Sequence, residues 1–318
     1  MIRQLLFGAA TYVPGVYSLV AKRQREGGSA RYCYAVWLRH LVVAHRHGLN
    51  FQPRIVVELG PGASLGVGLA ALISGAETYY ACDAVRHANV DRNLELFDEM
   101  VALFRRREAI PGDQEFPRLK PRLDDYGFPG FLRPASGCPD ALAEPRLARL
   151  RETVAAGPGD GKSLQYLVPW QRADGIPTGS VDMVCSQAVL EYVDDLGAAY
   201  ETMRAWLAPG GMMSHQIDFS AHQTSRHWDG HWAYSDRVWK RMRGRRPFWL
   251  NREPCSVHLA LLQRLGFEIL CNLRALQPPE VARAALAPRF RELSSDDLST
   301  RGAFVLARKP SQTSRTRL

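Results

Sequence analysis

Val57-Glu58-Leu59-Gly60-Pro61-Gly62-Ala63-Ser64-Leu65-Gly66 decides the fold of this chain. The stretch begins inside Arg54-Ile55-Val56-Val57-Glu58-Leu59, an almost continuous apolar run suited to a parallel strand buried on both faces. Beyond it, Ser64 to Ser74 carries Leu65, Val67, Leu69, Leu72 and Ile73, the pattern of a helix packed on a sheet. The glycines therefore occupy a strand-to-helix turn. There the backbone can approach a ligand closely, and the helix N-terminus offers unpaired N–H groups. The next strand, Thr78 to Cys82, ends at Asp83, 25 residues beyond Glu58, where a carboxylate can accept both hydroxyls of a ribose.

Working outward, Ala30 to Gly48 and Asn89 to Arg107 read as amphipathic helices on either side of this unit. Pro111 to Gly161 is rich in proline and glycine, with a short helical stretch from Asp140 to Val154. Its Phe116, Tyr126, Phe128 and Phe131 give it something to bury, so it is an insertion rather than a linker. The alternation then resumes with strands Leu164–Val168 and Val181–Ser186, helix Asp195–Leu207 and strand Gly211–Phe219. A polar, aromatic-rich stretch follows to Asn251, then helix Cys255–Leu265, strand Phe267–Leu273, a helical stretch around Glu280–Leu286 and strand Ala303–Ala307. Alternating β and α units imply an open parallel sheet with helices on both faces. The last two strands are separated by too little chain to fix their direction.

With 318 residues, 46% of them apolar and 23% charged, the chain can build a substantial core and is no disordered or collagenous sequence. The six cysteines (Cys33, Cys82, Cys138, Cys185, Cys255 and Cys271) form no C-x-x-C pair, which excludes a cysteine zinc site and points to reduced thiols in the cytoplasm. The net charge of +9 comes from 36 Arg and only five Lys, placed mostly singly, with dense runs at 105–107 and 241–246. That distribution suits a solvated or acidic-substrate-facing surface better than a nucleic-acid surface. Leu5 to Ala21 is apolar but is interrupted by Pro14 and Gly15 and falls short of the roughly 20 residues a membrane span needs. It reads as a helix pair at the N-terminus, with peripheral membrane contact as the secondary reading.

Glu58 separates the candidate ligands. A dinucleotide would set its pyrophosphate at the helix N-terminus, where an acidic neighbour is unwelcome. A cationic amino-acid nucleoside carries an ammonium that an acidic site would hold. The turn resembles the first motif, E/D-x-G-x-G, of the class I S-adenosylmethionine-dependent methyltransferases. Ser180 to Val193 looks like that family's fourth-strand segment, and Leu207-Ala208-Pro209-Gly210-Gly211 like its turn into the fifth strand. The resemblance runs from about Arg54 to Lys309 and argues against a dehydrogenase.

The resemblance implies a Rossmann-like, doubly wound, mostly parallel seven-stranded α/β sheet. Residues 1–50 would form a helical cap and 51–310 the methyltransferase domain. That domain would hold an insertion at about 108–161 and a substrate-side loop region at about 220–253, before a disordered 311–318 tail. S-adenosylmethionine would be the cofactor, bound by Glu58, Gly60, Pro61, Gly62, Ser64, Asp83, Ala84, Gln171, Ser186 and Gln187. Gly60 and Gly62 would pass under its methionine part and Asp83 would hold its ribose. Ser186 and Gln187 would line the floor near the sulfonium, and Gln171 stands where the family often has an acidic residue.

The fourth strand ends in Cys185-Ser186-Gln187-Ala188, unlike amino-group DNA methyltransferases, and no Pro-Cys follows a strand as a cytosine-C5 nucleophile requires. The chain instead resembles the branch of that family acting on small molecules, sugars or lipid-linked intermediates, which implies such an acceptor, most readily methylated on oxygen. Beyond the fifth strand, His215 with Asp218 forms the first candidate for a base taking the acceptor proton, and His222 the alternate. These histidines and the nearby tryptophans could equally pack the cap. A divalent ion on His215, Asp218 and His222 is the weaker alternative, as is a non-catalytic S-adenosylmethionine-binding scaffold or regulatory protein.

Overall fold

The structure is a computed structural model that describes residues 2–13, 28–49, 52–85, 89–132, 140–159, 162–170 and 175–311. Its centre is β1 (Ile55–Leu59), whose side chains alternate between two cores. Val56 faces one, and Val57 and Leu59 face the other. β1 lies between β2 (Thr78–Cys82) and β4 (Val181–Gln187), parallel to both. β3 (Leu164–Leu167) pairs with β2, and β5 (Leu207–Asp218) with β4, again in parallel. β6 (Glu268–Leu276) and β7 (Thr300–Arg308) complete the sheet in the order β3-β2-β1-β4-β5-β7-β6. β7 runs antiparallel to both β5 and β6, which settles the direction that sequence left open. A single five-residue helix (Ser295–Ser299) before β7 is no βαβ crossover, so the chain turns back as an antiparallel neighbour.

The first core packs α2 (Ala30–Arg46), α3 (Gly66–Ile73), α4 (Val90–Arg105) and α5 (Glu144–Ala155) on one face of the sheet. The second packs α6 (Leu196–Trp206) and α8 (Cys255–Arg264) on the other. α2 begins where the Ser29 side chain accepts the Tyr32 N–H. It is buried from Cys33 to Ala44, which makes it an interior helix of the main core. Its buried Arg39 donates to the carbonyls of Ala35, Pro111 and Pro121 at 3.2, 2.8 and 3.1 Å, fastening the start of the insertion to the core. Phe116, Tyr126, Phe128 and Phe131 pack there as well.

α1 (Ile2–Ala10) lies against α7 (Asp236–Arg243), with Leu5 on the cluster of Trp239, Met242, Trp249 and Leu250. The remainder of the expected N-terminal helix pair and the 312–318 tail lie outside the described residues. The helix expected from Asp140 starts at Glu144, and the stretch around Glu280–Leu286 forms only one 3-10 turn, Arg283–Ala285. Among the described residues no helix is long and apolar enough to cross a membrane.

Candidate active site

β1 runs into the glycine turn at the carboxyl edge of the sheet. Gly60 and Gly62 have φ of +64° and +69°, which glycine adopts without a Cβ clash. A side-chain carbon on Gly60 would lie 2.6 Å from Val189, whereas one on Gly62 would meet nothing within 4 Å. The turn therefore closes against the segment after β4 at one glycine and borders open space at the other. Asp83, at the end of β2, accepts the Gly62 N–H on Oδ2 at 3.2 Å and the Ala84 N–H on Oδ1 at 2.7 Å. Gly60, Gly62, Asp83, Ala84, Trp170 and Tyr192 are among the walls of a cleft of about 510 Å³. That size is ordinary for a small-molecule site. Ala188, also on the wall, holds a left-handed φ of +55°. A non-glycine residue kept in that conformation marks a turn fixed by its surroundings.

The expected cofactor residues divide four ways, and Ser186 and Gln187, expected on the cleft floor, turn instead to His215 and to His40 with Gln216. Gly60, Gly62, Asp83 and Ala84 line the cleft. Glu58 and Ser64 are buried behind it, and Pro61 is half-buried on the turn. Gln171 lies outside the described residues. The Glu58 carboxyl accepts the Tyr79 hydroxyl at 2.5 Å and faces the N–H of Gly68 in the first turn of α3. Burial pushes its pKa up to about 7, with the Asp83 charge adding to the rise and the two hydrogen bonds opposing it. Glu58 thus braces the turn and the helix start from inside the core, not from the cleft wall.

The alternation of β5 decides what its polar residues do. His215 faces the second core with Ile217, while Ser214, Gln216 and Asp218 face the side of α2. His215 and Asp218, three residues apart on a strand, therefore point to opposite faces, and the pairing expected between them does not form. His215 Nδ1 instead meets Ser186 Oγ at 2.8 Å in a fully buried site, and burial lowers its pKa to about 3. On the other face His40 bridges Ser214 Oγ (2.7 Å) and Gln187 Oε1 (3.3 Å), and Gln187 donates to Gln216 Oε1 at 3.2 Å.

Asp218 pairs with His222. The chain reverses through His222 and Gln223, both at positive φ (41° and 67°), which brings His222 Nε2 within 3.1 Å of Asp218 Oδ2. On its other side Nδ1 lies 2.5 Å from the hydroxyl of Tyr192, a residue on the wall of the cleft. Burial, the largest single influence, raises the Asp218 pKa, but the bond and charge of His222 and the hydrogen bonds from Ser220 together hold the carboxyl below its ordinary range. Next to this pair sits buried Glu191, its pKa raised well above ordinary by burial, with the backbone N–H groups of Glu191 and Asp218 opposing the rise. Trp228 and Trp232 pack with Leu286 and Phe290, and Trp239 with Trp249, so the tryptophans of the loop region serve packing. Trp170 and His40 carry no motif of their own, and Tyr192, though inside the Ser180–Val193 segment, has a role that only the fold makes visible.

Residues 154–214, from the end of α5 into β5, match the family model described as a methyltransferase domain. Similar solved structures include an S-adenosylmethionine-dependent methyltransferase from Mesorhizobium loti. It is 18% identical, over 80% of this chain and 90% of that chain, with a TM-score of 0.39. Phosphoethanolamine N-methyltransferase 2 of Haemonchus contortus, in complex with S-adenosyl-L-methionine, is 13% identical over 86% of this chain and 53% of that chain, with a TM-score of 0.43. No curated protein matches the sequence. The seven-stranded order with its antiparallel β7 and the glycine turn are those of the Rossmann-like sheet that the resemblance implied, and residues 154–214 carry the match to a methyltransferase domain.

Proposed function

We propose that this chain transfers the methyl group of S-adenosylmethionine to an oxygen of a small-molecule, sugar or lipid-linked acceptor, acting in the cytoplasm. The observation that carries the reading is the pairing of Gly62 with Asp83 on one wall of the cleft. It supplies an open backbone turn beside a carboxylate at the end of β2. Asp83 would hold the ribose hydroxyls, Gly60 and Gly62 would underlie the methionine part, and Ala84 and Trp170 would flank the adenine. Bound there, the cofactor supplies a methyl carbon activated by its sulfonium.

The residues of the chain then orient the acceptor and take its proton. Tyr192, His222 and Asp218 form a line out of the cleft. With the proton on Nε2 facing Asp218, Nδ1 of His222 accepts from the Tyr192 hydroxyl; this tautomer is assigned from the partners. The acceptor hydroxyl can give its proton to Tyr192 oxygen as the phenol proton moves to Nδ1, and the Asp218 carboxylate stabilises the imidazolium that forms. The histidine base of this reading is His222, the alternate candidate, because His215 has no path to the cleft.

Asp83→Ala is expected to weaken binding of S-adenosylhomocysteine about 10- to 100-fold, since a charged hydrogen bond is worth about 1.5–3 kcal/mol. Calorimetric titration measures it, and unchanged affinity would remove Asp83 from the ribose site.

A further inference from the structure

We propose that the cavity of about 740 Å³ between residues 117–122 and the ends of β5, β6 and β7 is the acceptor site, and that it takes an anionic acceptor carrying a phosphate or carboxylate group. The assignment rests on the methyltransferase reading above, but its chemistry is read from other residues. Five cationic side chains line the cavity: Arg118, Lys120 and Arg122 from the insertion, Arg274 from β6 and Arg301 from β7. The one carboxylate on its wall is Asp218.

Two of the cations are compensated, Arg122 by Asp113 at 3.0 Å and Arg274 by Asp296 at 3.1 Å. Arg118, Lys120 and Arg301 have no carboxylate partner among the described residues, and Arg301 donates to the neutral Gln277 amide oxygen at 2.6 Å. Half-buried Lys120 is held below its ordinary pKa, by burial first and then by the neighbouring Arg122 cation. Gathering like charges around a partly enclosed space costs free energy that a bound oxyanion offsets.

Position ties the cavity to the reacting centre. Gln216, on its wall, accepts from Gln187, and Gln187 precedes Ala188 and Val189 on the wall of the cofactor cleft. Asp218, the far end of the Tyr192–His222–Asp218 line, also borders the cavity. An anion is drawn to Arg118, Lys120 and Arg301 and repelled by Asp218. The neutral, nucleophilic end of the acceptor is thereby turned toward the cleft. Leu273 and Leu276, 44% and 63% exposed, give the same cavity an apolar wall for the body of such a molecule.

The test uses the full chain with phenyl phosphate and benzoate as anionic probes, and phenol and benzamide as neutral ones, followed by ligand-observed NMR. Saturable binding of the anions and not of their neutral counterparts is expected. In Lys120→Gln/Arg301→Gln that binding should weaken by about tenfold or more, with S-adenosylhomocysteine affinity unchanged, while Arg151→Gln, on the remote Asp98 pair, leaves it intact. A magnetisation-transfer contact between the probe ring and the methyl group of bound S-adenosylmethionine is expected as well. Equal binding of neutral and anionic probes, or anion binding that survives the double substitution, would overturn the anionic site. Anion binding that is lost in the double variant but shows no contact with the cofactor methyl would overturn its assignment to the acceptor. Failure of the unmodified protein to bind S-adenosylhomocysteine would overturn the methyltransferase reading itself, and the probe comparison would still report on the anion site.

Discussion

His222→Ala should lower methyl transfer by roughly 10²–10⁴-fold while leaving cofactor affinity within about twofold, the range expected when a positioned base is lost. Tyr192→Phe should reproduce most of that loss, because the phenol is the group of this line that lines the cleft and His222 lies behind it. Asp218→Asn should be milder, since it leaves the imidazole in place and removes only the charge that orients it. The readout is incorporation of labelled methyl from S-adenosylmethionine into an extract, alongside calorimetry for cofactor binding. His215→Gln provides the contrast. That ring is sealed in the second core against Ser186, so its loss should appear in stability and not in the pH profile of turnover. Near-normal transfer by His222→Ala and Tyr192→Phe together would mean that acceptor positioning alone drives the reaction.

The second large effect is on stability. Glu58 has a pKa of about 7 in the folded protein against 4.5 ordinarily, so the unfolded chain loses that proton first as pH rises. Below about pH 4.5 both states hold the proton and Glu58 costs nothing. Between about pH 4.5 and 7 the folded state is progressively disfavoured, by about 3 kcal/mol in total once both are ionised. Glu58→Gln keeps an oxygen for the Tyr79 hydroxyl and the Gly68 N–H but cannot ionise. Urea midpoints should therefore place the variant near the native protein at pH 4.5 and above it at pH 8. A stability difference that stays constant across that range would show that Glu58 ionises as freely in the fold as outside it.

The fold was legible because its signals are local. The run Ile55–Leu59, the glycines and Asp83 each fall where the structure uses them, and β1, β2 and β4 lie within a residue of where their apolar patterns put them. The direction of β7 was not legible, since it depends on the course of residues 277–299, which hold only 3-10 turns and one five-residue helix, rather than on the strand's own composition. The site was half legible. Proximity in sequence favoured His215 with Asp218, but strand parity separates them, and two left-handed residues bring His222 back in its place. The dense arginine runs that stand out in the sequence are spent on surface pairs such as Arg105–Glu144 and Arg243–Asp194. The cations that line the cavity are scattered through residues 118–122, 274 and 301, and only the sheet edge gathers them.

Titration of the full chain with S-adenosylhomocysteine and, separately, with NAD tests the central claim most directly. On the proposed reading, the open glycine turn with the Asp83 carboxylate at its edge holds the ribose of a nucleoside rather than the pyrophosphate of a dinucleotide. One-site binding of S-adenosylhomocysteine and no heat from NAD is the predicted result. Binding of NAD, or no binding of S-adenosylhomocysteine by folded protein, would contradict it.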